Sequence, residues 1–325
     1  MRKVLLSGIT CLALLTPIAA SSQAAVVTVG SPLTRPFVST EAKNSGTIAN
    51  IAFPEPGANV TSPVSGTVIR WRIGQAEGGP FRLRILRAAG PEQFAGAGAG
   101  PDTTVPSGTD GISVFSVNLP IETGDLLGLD LVNGAKIGTL SPLPGSGFAA
   151  WKGFVPEGST QVVEEEQGGR EIAFNADVLP PPTVTAMTAG SGSFRGGGTV
   201  TIAGTDLIEV SAVTFGGVPA ASFSSASEAS LTAVAPKAAK PGTVEVSVTT
   251  PAGTATAPSL YAYEACKVPG LRGRTLANAR KRLRRAGCKL GKVKRLRGGN
   301  PRVSAQKPKP GKLKVPGAKV KVTVG

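Results

Sequence analysis

The chain has 325 residues, with 43 glycines, 27 prolines, three cysteines, no histidine and a formal net charge of +15. The lack of histidine excludes His-based catalytic triads, imidazole metal ligands and imidazole pH switches. Three cysteines cannot supply a four-thiolate structural zinc site within one chain. Glycine and proline are abundant without a collagen-like period, and the wealth of Thr, Val and Ser suits short strands between turns. A chain of this length predicts two or three domains. The charge is uneven: Cys266 to Gly325 holds 20 Lys and Arg and no acid, whereas Ala25 to Ala265 holds 13 basic and 20 acidic residues.

Residues 1–24 read as a secretory signal peptide. Arg2 and Lys3 form a positive start, Val4 to Ala20 is mostly apolar, and Ser22-Gln23-Ala24 is a small-x-small cleavage site. The apolar run falls short of the roughly 20 residues a bilayer span needs and contains Pro17. Cys11 lies in a poor lipobox context, and no later segment is long and apolar enough to cross a membrane.

Residues 25–180 form a first module with strand patterns at 64–73, 81–87, 112–119, 125–131 and 171–178. A bulge is expected near Ile69, where the alternation slips. Ala95 to Ser107 reads as a Gly/Ala/Pro-rich loop and Glu164-Glu165-Glu166 as an acidic hairpin loop. The expectation is an antiparallel, jelly-roll-like β-sandwich. Such folds often present one face to carbohydrate. Trp71 reads as core, and Trp151, in glycine-rich surroundings, is the candidate for stacking on a sugar ring. Asp102, Asp110, Asp125, Asp130 and the three glutamates supply carboxylates for a glycan hydrolase, but no spacing selects a pair. Asp125 reads as a turn residue and Asp130 as outward-pointing on its strand. No family resemblance is evident here.

Leu179-Pro180-Pro181-Pro182 is a stiff extended link. Residues 181–264 then show strands at 198–204, 212–217, 230–234 and 242–249, the last with Val244, Val246 and Val248 on one face. This is the rhythm of a small sandwich. The runs Gly196 to Thr205, Val213 to Ala220, Ala235-Pro236 and Gly242 to Val248 resemble the IPT/TIG immunoglobulin-like domain. That resemblance implies a spacer or interaction module of cell-surface and secreted proteins, without catalysis.

Residues 265–325 change character. Thr275 is an N-cap before a helix at 276–286, with Leu276, Ala279, Leu283 and Ala286 on one stripe and Gly287 as the left-handed terminator. Short strands follow at 290–294, 302–306 and 319–324. Val268 to Gly273, Leu276 to Ala279, Ala286-Gly287-Cys288, Gly291-Lys292-Val293, Val303 to Gly311 and Gly317 to Val322 resemble the PASTA domain. The resemblance implies one helix on a three-stranded sheet, a place in bacterial envelope proteins and, for some members, binding of peptidoglycan fragments. Cys266 and Cys288, the two cysteines left after signal cleavage, are expected to pair in a secreted protein; two free thiols are the alternative.

The unmixed positive sign of this last module invites an anion. The candidate contacts are Arg280, Lys281, Arg284, Arg285, Lys319 and Lys321, and the expected partner is peptidoglycan or another anionic wall polymer. Carbohydrate or protein is the candidate partner of the N-terminal module. Nucleic acid fits less well, because the module has no Phe, Tyr or Trp for base stacking. No cofactor or metal is called for. The reading is a mainly β, multidomain, secreted, wall-associated and non-enzymatic protein. The alternatives are a glycan-active sandwich hydrolase with attachment domains and a purely structural adhesion or spacer protein.

Overall fold

The computed structural model describes residues 26–42, 44–107, 111–296, 298 and 301–325. The signal-peptide reading and Asp110 lie outside the described residues. Apart from one helix, the regular structure is β-strand, and among the described residues no helix is long and apolar enough to cross a membrane.

The N-terminal module is an antiparallel sandwich. A four-stranded sheet orders Val27–Gly30, Phe174–Leu179, Gly66–Gly74 and Ile112–Ile121. It faces an eight-stranded sheet built around Gly78–Gly90, Leu126–Leu131, Gly46–Ala52 and Gly147–Lys152. Alternation fills the space between them: Phe81, Leu83 and Ile85 from one sheet meet Val68, Trp71, Ile73 and Phe174 from the other, all buried. Trp71 packs on Phe115 with ring centroids 5.0 Å apart. Ile69 is the extra residue of a β-bulge, skipped in the register with both neighbouring strands.

Three expectations for this module need correction. The Gly/Ala stretch is no loop, since Gln93–Ala99 and Thr103–Val105 are strands paired with Gly78–Gly90. Its glycines answer to close packing: a Cβ on Gly96 would collide with the Pro156 backbone, and one on Gly98 would press on Leu119. The glutamate run is not a hairpin tip either, because Glu165–Gly168 is an edge strand alongside Gly147–Lys152. Finally, Asp130 does not face solvent. Its strand is central, and a second small core of Ala49, Leu86, Trp151 and Val155 covers the sheet's outer face. Arg84 and Asp130 pair beneath that cover, 3% and 4% exposed. The Thr47 hydroxyl donates to Asp130 Oδ1 and accepts from the Val155 amide, which closes the network.

Three further carboxylates, Asp125, Asp177 and Glu171, are buried in the sandwich. Asp177 takes Arg72 through both its oxygens, at 2.8 and 2.6 Å, and also Arg70. Burial works to raise its pKa, but the hydrogen bonds from Arg72 and Arg70 prevail and hold it below the usual range. Glu171 is 1% exposed; it accepts a hydrogen bond from the Ser31 hydroxyl, while its Oε2 has no partner. Burial pushes its pKa up; the Ser31 bond opposes this, and the nearby Glu55 charge adds to it more than the Arg35 charge subtracts. A folded-state pKa above the unfolded value means that Glu171 favours folding at low pH. That contribution is lost as pH rises through the folded value. Glu171→Gln is therefore expected to stabilise the sandwich at neutral pH and to flatten its stability–pH curve above the ordinary Glu value. Urea melts at a series of pH values, read by tryptophan emission, check this; a variant that tracks the parent at every pH removes the assignment.

The middle module carries its own core of Phe194, Val200, Ile202, Phe215, Leu231, Val246, Val248 and Tyr261. Phe215 and Tyr261 meet edge to face at 5.1 Å. The expected single strand at 242–249 is two: Gly242–Val244 pairs with Tyr261–Glu264, and after Glu245 the chain passes to another sheet, where Val246–Thr250 pairs with Ala212–Phe215. Switching sheets in this way lets one stretch contribute to both layers of a sandwich.

In the C-terminal module the helix spans Leu276–Arg285, with the Thr275 side chain accepting from the Asn278 amide and Gly287 in the left-handed region at φ 67°. Ala279 and Leu283 are fully buried, and Leu276 and Ala286 pack beside them. They rest on a three-stranded sheet in the order Lys289–Arg295, Lys319–Val324 and Val303–Lys307. Val320, Val322 and Val324 point at the helix. Gln306 clamps the entering chain, accepting from the Leu271 amide at 2.7 Å and donating to the Pro269 carbonyl at 3.0 Å. Cys266 and Cys288 form a disulfide that ties the start of the module to the chain leaving the helix.

Candidate anion-binding faces of the C-terminal domain

Two-layer packing decides where the charges go. The helix spends its apolar stripe on the sheet, so Arg280, Lys281, Arg282, Arg284 and Arg285 are left exposed around the rest of its surface. Arg280 and Arg284 are one turn apart and, with Gly287, Lys289, Leu290 and Gly317, line a shallow depression beside Cys288.

The sheet makes the second face. Valines alternate inward along Lys319–Val324, so Lys319, Lys321 and Thr323 turn outward. Lys307 lies directly opposite Lys321 on one neighbouring strand. On the other side, Leu290 pairs with Val320 and Val293 with Val322, which places Gly291 and Lys292 together against Lys321 as a bulge. Lys292, Lys321 and Lys307 therefore form a row across all three strands. The next row is Lys294, Thr323 and Ala305. Together they line a shallow trough with lysine walls and a floor of small side chains.

The six residues singled out from the sequence thus fall on two faces: Arg280, Lys281, Arg284 and Arg285 on the helix, Lys319 and Lys321 on the sheet. Sequence reasoning missed Lys292 and Lys294 as members of the sheet face. Their alternation around Val293, in step with Lys319 and Lys321 around Val320, was the available signal. The ion pairs found among the described residues all join partners between Arg35 and Asp177. The N-terminal arginines are thus largely engaged internally, while no such pair holds a cation of the last module.

The other sequence candidates take structural positions. Trp151 is 4% exposed, with Phe94 edge-on to its ring at 5.7 Å, so it is a core residue and offers no stacking surface for a sugar. This corrects the expectation from its glycine-rich surroundings: those glycines flank a strand whose outer face is covered. Asp125 is buried, accepts from the Glu122 amide as a turn cap, and is bound by Arg87 through both oxygens at 2.9 Å. Asp102 pairs with Arg82. With Asp130 on Arg84, three of the carboxylates named for hydrolysis are held by arginines.

Fold and charge define a mainly β, multidomain protein whose last module is a small, strongly basic helix-on-sheet domain. Comparison with protein families names two modules: residues 182–263 match the IPT/TIG domain and residues 267–325 the PASTA domain. The chain carries an immunoglobulin-like IPT/TIG domain followed by a PASTA domain, a combination that fits a modular envelope protein. Among curated proteins nothing matches the chain. Two solved structures show a remote likeness. One is SGBP-B from a complex xyloglucan utilization locus in Bacteroides uniformis, at 19% identity and a TM-score of 0.25, covering 65% of this chain and 49% of that one. The other is the plexin A4 full extracellular region, at 12% identity and a TM-score of 0.23, covering 74% of this chain and 31% of that one. The chain thus spans about half the length of the first and under a third of the second. Likeness at this level carries no argument about function.

Proposed function

We propose that this is a secreted, non-enzymatic cell-envelope protein whose PASTA domain docks on peptidoglycan or another anionic wall polymer. The IPT/TIG domain acts as spacer, and the N-terminal sandwich presents a surface outward. The observation that carries the reading is the single-sign charge of the last domain: 20 basic residues and no acid from Cys266 to Gly325. Solubility needs only mixed charge, so a surface of one sign is built to be met by a counter-anion. Export is supported by the signal-like pattern of residues 1–24 and by the Cys266–Cys288 disulfide, which belongs to oxidising compartments.

Co-sedimentation of the full chain with purified sacculi tests the docking. Release of counterions from about five contacts, at the slope known for single-stranded polyanions, predicts an affinity falling about a hundredfold between 50 and 200 mM salt. Retention at low salt with that steep decline is the expected result. Retention that ignores salt and survives charge reversal at Arg280, Arg284 and Arg285 removes the electrostatic mechanism.

A further inference from the structure

We propose that the PASTA domain is bivalent, its helix face and its sheet face each taking a separate strand of a linear phosphodiester wall polymer, so that one domain bridges two strands. The inference rests on the wall-docking reading and adds to it a ligand class and a stoichiometry.

Bivalency follows from the packing. The apolar stripe of the helix and the inward valines of the sheet use up the interior; Lys281 and Arg285 are left on the helix side opposite its stripe, Arg280 and Arg284 on its flank beside Lys289, and the lysine row on the far side of the sheet. A layer spacing of about 10 Å, plus side chains reaching outward from both layers, separates the two sets of charges by on the order of 20 Å. That exceeds the Debye length of about 8 Å at physiological ionic strength, so each face attracts its own anion independently.

The ligand class follows from the kind of groups present. The sheet face is a row of lysines, Lys292, Lys321 and Lys307, at the inter-strand spacing of about 4.8 Å. Lys294 and Lys319 extend it along the strands. Ammonium groups are compact point charges that make no demand on the shape of their partner. Ala305 and Thr323 form a small-residue floor, and no Phe, Tyr or Trp occurs from Cys266 onward, so neither face can read a sugar ring by stacking. What such a face can read is repeated negative charge along a flexible chain. The helix face offers arginine forks, which take phosphate oxygens two at a time. Both faces therefore suit a phosphodiester backbone.

The test mixes the full chain, confirmed monomeric, with purified poly(glycerol phosphate) at low salt and follows light scattering across a range of protein-to-polymer ratios. Bridging predicts scattering that rises and then falls as excess protein saturates the strands. A sheet-face variant (Lys292→Gln, Lys294→Gln, Lys307→Gln, Lys321→Gln) and a helix-face variant (Arg280→Gln, Arg284→Gln, Arg285→Gln) should each still bind, more weakly, and each lose the scattering. All seven positions are exposed, and a thermal melt confirms that the variants fold. Binding without scattering at any ratio overturns bivalency, as does a single-face variant that still cross-links. So does one face losing all binding while the other loses none. If the parent chain ignores poly(glycerol phosphate) yet sediments with sacculi stripped of phosphate polymers, the ligand class is wrong and wall docking stands. If it binds neither, wall docking itself falls.

Discussion

Asp130→Ala is expected to destabilise the N-terminal sandwich by about 3–5 kcal/mol, the cost of stranding a buried charge. Arg84 would lose its carboxylate in a place where it is 3% exposed, and the Thr47 hydroxyl would lose its acceptor. The penalty belongs to the orphaned charge more than to the bond itself. Removing both charges should therefore cost far less: Arg84→Met with Asp130→Leu is expected to recover most of the loss. Urea unfolding followed by tryptophan emission reads this domain alone, because both tryptophans of the chain, Trp71 and Trp151, sit in its cores. A single variant as stable as the parent would show that water or another group satisfies Arg84.

The second large effect falls at the other end of the chain. Cys266 and Cys288 lie 22 residues apart, and breaking their bond returns loop entropy to the unfolded chain, lowering the stability of the domain by about 3 kcal/mol on the chain-entropy account. Among the described residues, the domain that loses this has a core of ten buried residues, five of them valine. Small domains have little stability in reserve. For a domain of this size the change lowers the melting temperature by roughly 12–24 °C. Cys266→Ala with Cys288→Ala, or reduction of the native chain, should therefore split off a low-temperature transition in calorimetry. Tryptophan emission should not move at that temperature, since the domain contains no tryptophan. An unchanged calorimetric trace would mean that packing around Leu271, Ala279 and Leu283 suffices without the bond. Above the temperature of that transition wall retention should also be lost, because folding is what arrays the lysines in rows.

The last domain was the most legible part of the chain. Its helix is marked by Thr275 and Gly287 at its ends and by a stripe at 276, 279, 283 and 286, and each signal depends on neighbours only a few residues away. Four IPT/TIG strands were legible for the same reason, whereas Thr183–Thr188, Ser222–Ser227, Gly253–Thr256 and Tyr261–Glu264 were missed, and the run at 242–249 was misread at Glu245. There the alternation of valines continues while the chain changes sheets, and alternation cannot report a change of partner. In the N-terminal sandwich three of the failures share one cause. Asp130, Trp151 and the Gly96 region are all set by what lies on the outer face of the large sheet. A pattern of period two assumes that this face meets water. Once Val155 and Trp151 close over it, Asp130 needs Arg84, and Gly96 must remain small against Pro156.

The sequence by itself determined the order of modules, the placement of excess positive charge at the C-terminal end and the chemistry that no histidine can supply, because these depend only on composition and local period. Only the tertiary structure decided that the cations form two faces instead of one. A helix and a sheet can share an apolar interior only by turning their charged sides away from each other, and that constraint appears when the two elements meet.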